Sequence, residues 1–97
     1  MIINGERWRI LFVSSYHPAL LISKGLYALG VCNDNNKTIY ISLRLSKEKL
    51  KKVLCHEVVH AIMFSYNVYL TAEQQEVMAD LITTFGQEIM YNVNKIF

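Results

Sequence analysis

The sequence predicts an α+β fold, with a small antiparallel or mixed three-stranded sheet followed by two helices. Three observations carry that reading. Arg7 to Ser14 is rich in β-branched and aromatic residues, and Lys37 to Leu45 alternates apolar and polar residues, both strand patterns. From Ser46 to Asn67 there is no glycine or proline, and apolar residues recur at helical spacing. Thr71-Ala72-Glu73-Gln74 then has the form of a capping box ahead of a second helical pattern. The apolar content is 53% and the charged content 19%, over a length that suits one domain across residues 1–97.

Arg7 to Ser14 reads as the first strand. Ser15 to Lys24 holds the only proline, Pro18, and reads as a loop with a helical turn at Ala19-Leu20-Leu21-Ile22. Gly25 and Gly30 bracket Leu26–Leu29, and with Val31-Cys32 this gives a short second strand. Asn33-Asp34-Asn35-Asn36 is a turn by composition, because these side chains cap their own backbone and tolerate left-handed geometry. Lys37 to Leu45 alternates and forms the third strand, so strands two and three make an antiparallel hairpin. Ser46 is a natural N-cap for the first helix, with Glu48 in its first turn. Leu54, Cys55, Val58 and Ile62 share one face that is expected to pack on the sheet. The second helix is expected from Ala72 to about Asn92, weakened around Thr83, Thr84 and Gly86, where it could kink or break.

The net charge of +2 does not call for a nucleic-acid partner, and the cluster Lys47, Lys49, Lys51 and Lys52 reads as a solvated helix start. No apolar run reaches membrane-spanning length. The first residues lack the pattern of a secretory leader, and the two cysteines do not make a disulfide framework. Together these features predict a cytoplasmic protein.

The chemistry resides in His56-Glu57-Val58-Val59-His60, an H-E-x-x-H pattern inside the first helix. Positions i and i+4 of a helix point the same way, so His56 and His60 can hold one metal ion between them. Glu57 sits at the edge of that face, within reach of a water on the metal. The competing reading is two core histidines and a surface glutamate. A catalytic zinc usually takes three protein ligands, and no histidine follows His60. His17, beside Pro18, reads as a surface residue, and Cys55, about 100° from His56 around the helix, reads as core rather than ligand. Among the later carboxylates, Glu73, Glu76, Asp80 and Glu88, the pair Glu76 and Asp80 shares one helix face, with the small Ala79 and Thr83 beside it. Glu76 as third ligand and Asp80 behind a ligating histidine fit that pattern, against the alternative of a solvated acidic face.

From Lys37 to Met90 the chain resembles small zinc metallopeptidases of the gluzincin type, especially ImmA/IrrE-like and phage- or prophage-encoded forms. The resemblance rests on Thr38-Ile39-Tyr40-Ile41, on the H-E-x-x-H helix, and on Glu76-Val77-Met78-Ala79-Asp80, which matches the pattern E-x-x-[SA]-D. It implies a minimal zincin fold and a zinc ion held by His56, His60 and Glu76. It further implies Glu57 as general base, Asp80 supporting a histidine, and a protein or peptide substrate such as a repressor. By the same resemblance, Lys37–Leu45 is the strand that aligns substrate by β-addition. Tyr66 and Tyr69, after the first helix, are the nearest candidates to meet an oxyanion, although a structural role is favoured for both. The competing function is a non-catalytic, zinc-containing binding module of mobile-element origin.

One stripe of the second helix, Met78, Leu81, Ile82, Phe85 and Ile89, lies opposite the Glu76/Asp80 face. It needs a cover: the Ala19–Leu26 region, a returning Tyr91–Phe97 tail, or failing both a dimer or partner.

Overall fold

A computed structural model describes all residues, Met1–Phe97. The architecture is α+β. A short hairpin pairs β1 (Ile2–Ile3) with β2 (Glu6–Arg7). The central sheet has the order β3 (Arg9–Val13), β7 (Thr38–Ser42), β6 (Gly30–Asn33). A second hairpin pairs β4 (Leu21–Ser23) with β5 (Leu26–Tyr27). Two helices follow, α1 (Lys47–Ser65) and α2 (Ala72–Ile96).

The three-stranded sheet is mixed. β3 runs parallel to β7 with Ile10 opposite Ile39, and β6 runs antiparallel to β7 with Val31 opposite Tyr40. β7 is therefore the central strand and has no free edge, which overturns the expectation that Lys37–Leu45 receives a substrate strand. The strand beside α1 with an unpaired edge is β6. β7 is also covered on both faces: Thr38, Ile39, Ile41 and Ser42 are all buried. That explains its mixture of apolar and hydroxyl side chains.

The N-terminal hairpin is an element the sequence reading passed over, although Asn4-Gly5 signals it. Both residues have positive φ, 50° and 77°, as the tight primed hairpin turns require. The hairpin secures the end of α1: Asn4 Nδ2 donates to the Ser65 carbonyl at 3.0 Å. The buried Trp8 donates its indole N–H to Ser65 Oγ at 3.1 Å. The expected helical turn at Ala19–Ile22 is instead a 3₁₀ turn at Pro18–Leu20 leading into β4. Proline fixes φ at the start of the turn, and the β-branched Ile22 that follows goes into the hairpin.

α1 begins at Ser46, whose hydroxyl accepts from the Lys49 amide at 3.3 Å. Its sheet-facing side is turned from the one expected. Leu50, Val53, Leu54, Val58 and Ala61 pack with Ile3, Trp8, Ile39 and Ile41. Ile62 is 43% exposed, and Cys55 lies half-buried outside both core clusters. The rotation follows from the opposite side of α1, where Val59 and Met63 pack on Ala79 of α2. A helix that must meet a sheet and a second helix cannot centre either contact directly opposite the histidines. The Thr71–Gln74 capping box forms as expected, and α2 runs unbroken through Gly86.

Ser65→Ala is expected to lower stability by about 1–3 kcal/mol, because it strands a buried indole N–H. Urea unfolding followed by Trp8 fluorescence measures this, and an unchanged midpoint would refute the assignment.

Candidate metal centre

α1 presents His56 and His60 one turn apart, with ring nitrogens facing each other at 3.2 Å between the two Nε2 atoms. α2 brings Glu76 across them. Its Oε2 lies 2.9 Å from His56 Nε2 and its Oε1 3.0 Å from His60 Nε2. Donors around a tetrahedral zinc with bonds of about 2.0–2.1 Å stand roughly 3.3–3.4 Å apart. The three observed separations need only a slight outward shift to match.

Both rings also have partners at their outer atoms. His56 Nδ1 lies 3.1 Å from Asp80 Oδ1, a distance at which an Nδ1–H donates to the carboxylate. His60 Nδ1 faces Gln75 Oε1 at 3.4 Å. The Gln75 amide is oriented by its own N–H, which donates to the Leu70 carbonyl at 3.2 Å. In the tautomer that uses Nδ1–H outward, each ring turns its Nε2 lone pair inward. Two lone pairs and a carboxylate then converge on one point, an arrangement that is repulsive unless a cation lies among them.

Glu57 borders the same point: its carboxylate and the two ring nitrogens lie within 4.8 Å of one another, a group able to hold a metal ion. Unlike Glu76, whose side chain is 57% exposed, Glu57 is buried. Burial pushes its carboxyl above the usual glutamate range, Glu76 adds to this, and His60 and His56 oppose it. Gly30 on β6 makes the burial possible. A Cβ there would stand 2.7 Å from Val53 Cγ1 and 3.1 Å from Glu57 Cγ.

Residues 22–93 match the family model described as the IrrE N-terminal-like domain, Peptidase_M78. The chain belongs to this peptidase family. No curated protein and no solved structure matches it. The matched region contains β4 to β7, the histidine helix and most of the glutamate helix. The site stands on a sheet of three strands, with two clefts meeting at Glu57. One, of about 490 Å³, is lined by Lys49, Lys52, Val53, His56 and Asp80 among others. The other, of about 370 Å³, is bounded by Val31, Cys32, His60, Phe64, Gln75 and Glu76.

All five expected site residues, His56, Glu57, His60, Glu76 and Asp80, are brought together by the two helices. His17 does not join them. It is half-buried rather than a free surface residue, capping the 3₁₀ turn through the Ala19 amide at 3.0 Å and stacking on Tyr40. Tyr66 caps α1, Tyr69 is 90% exposed, and neither lines either cleft. Gln75 is the residue that sequence reasoning missed. Its only signal was its place immediately before Glu76, at a spacing that only the loop geometry could turn toward His60.

Cys32 shares the second cleft with Glu57, and its thiol is pushed up to about 12 by burial first, then by Glu57 and Asp34. Alkylation by iodoacetamide at pH 8 should therefore leave Cys32 unmodified in the native protein and modify it fully in denaturant. Peptide mass mapping reads the difference, and equal native and denatured rates would contradict it.

Proposed function

We propose that this chain is a zinc-dependent peptidase of gluzincin type, with His56, His60 and Glu76 as metal ligands and Glu57 as general base. The observation that carries this reading is the convergence of three lone-pair donors, from two helices, beside a buried carboxylate. Zinc suits two imidazoles and a carboxylate, and when bound it would supply Lewis acidity toward a water and a substrate carbonyl.

The chain's own groups divide the remaining work. Glu57, largely buried and with a raised proton affinity but open to the two clefts, accepts the proton of the attacking water and returns it to the leaving amine. Asp80 and Gln75 keep His56 and His60 in the tautomer that presents Nε2 inward. The free edge of β6 is the place for an extended peptide, because it pairs by backbone hydrogen bonds and runs past Gly30, directly over Glu57. The substrate class is a protein segment that can become extended. Resemblance to prophage-encoded forms favours a cytoplasmic regulator such as a repressor.

Metal analysis of the wild type is expected to give one zinc per chain, with most of it lost in Glu76→Ala. Glu57→Gln should keep the zinc and lose at least about a hundredfold in cleavage rate on an extended peptide library. Full activity of Glu57→Gln would remove Glu57 as the general base, and zinc binding without any cleavage by the wild type would leave a zinc-containing binding module as the function. A separate check uses Gly30→Ala, which crowds Val53 and Glu57 and should cost about 1–3 kcal/mol of stability in urea unfolding. An unchanged midpoint would show that the contact is looser than the structure has it.

A further inference from the structure

We infer that α2 is a dimerisation element, pairing antiparallel with α2 of a second copy of this chain through the side turned away from the metal centre. The inference does not depend on the hydrolytic reading.

Only Ala79 of this 25-residue helix is buried, and α1 is the one element against which α2 packs extensively. None of the intramolecular covers is present. The segment 91–96 continues the helix rather than folding back, and Met78, Leu81, Ile82, Phe85 and Ile89 remain 39–53% exposed. The stripe has coiled-coil form, since Met78, Ile82, Phe85, Ile89, Asn92 and Ile96 alternate at spacings of four and three, the a/d pattern of a heptad seam.

Three features select a second copy as the occupant. With Val93 and Ile96, the stripe presents seven apolar residues that are 39–79% exposed, an area on the order of several hundred Å² per copy to set against the ~800 Å² per partner of a standard interface. The seam is also self-complementary when reversed. A two-fold axis beside Gln87 sets Phe85 against Ile89, Ile82 against Asn92 and Met78 against Ile96, each pair occurring twice. Finally, that register brings the fully exposed Phe97 of one copy to a cavity of about 580 Å³ on the other, lined by Leu70, Val77, Met78 and Leu81. The metal centre stays open, because Glu76 and Asp80 lie well over 90° around the helix from the seam. The same register places Glu88 against its own counterpart at the axis, a like-charge contact that holds the affinity down.

Sedimentation equilibrium of the full chain at tens of micromolar should give twice the 11.2 kDa chain mass. Phe85→Glu and Ile89→Lys, both at exposed positions and with folding verified by circular dichroism, should be monomeric, with association weakened on the order of a hundredfold. Glu88→Gln should tighten the dimer several-fold. A parallel pairing would leave Glu88→Gln without effect, because Glu88 then faces Val93. A monomeric wild type overturns the proposal, as does a dimer unaffected by Phe85→Glu. A Glu88→Gln variant that fails to tighten association overturns the antiparallel register.

Discussion

The structure depends on one electrostatic constraint: two imidazole lone pairs and a carboxylate are turned toward a common point by groups behind them. Such a convergence is unfavourable by itself, and it persists only because each component is held from outside. Asp80 and the Leu70-anchored Gln75 fix the rings. The Val59–Met63–Ala79 contact fixes the distance between the helices that carry the donors. Ala79 sits between Glu76 and Asp80 in sequence, so its small size is what lets both carboxylates reach α1. A larger residue there would push the helices apart and dissolve the centre without touching a ligand.

The same constraint explains the rotation of α1. The helix has to show histidines to α2 on one side and the Leu50–Ala61 row to the sheet on another, while placing Glu57 between them. Gly30 resolves the crowding at that boundary by removing a side chain where β6 meets the helix. Glu57 is thereby sealed from water on the sheet side and left open toward the two clefts. A carboxylate at this place gains proton affinity from burial while staying next to the two imidazoles, the combination on which the proposed general-base role rests.

The division of stability within the chain is uneven. The sheet, the N-terminal hairpin and α1 share one core around Trp8, Ile39 and Ile41. α2 is joined to them by a small second cluster and by the polar contacts of the centre itself. The helix that supplies Glu76 and Asp80 is thus packed extensively on α1 alone, and both a bound cation and a partner on its outer stripe would hold it in place.

Several features were fixed by local sequence: the α+β order, the Ser46 and Thr71 caps, the β6–β7 hairpin, the shared face of His56 and His60, and the shared face of Glu76 and Asp80. Spacing along a helix is a local property, and capping chemistry acts within one turn, so these needed no tertiary information, whereas bringing the two faces together required the packing of α2 on α1. The Asn4-Gly5 hairpin was equally local and was simply passed over. Other features were decided only when the chain closed on itself. That β7 is central and β6 is the free edge depends on where β3 returns, a pairing between residues about 29 apart that no periodicity records. The burial of Glu57 depends on a glycine in another element, and the role of Gln75 on the path of the loop through Leu70. Hydrogen-bond and packing partners distant in sequence leave no pattern in the residues that receive them.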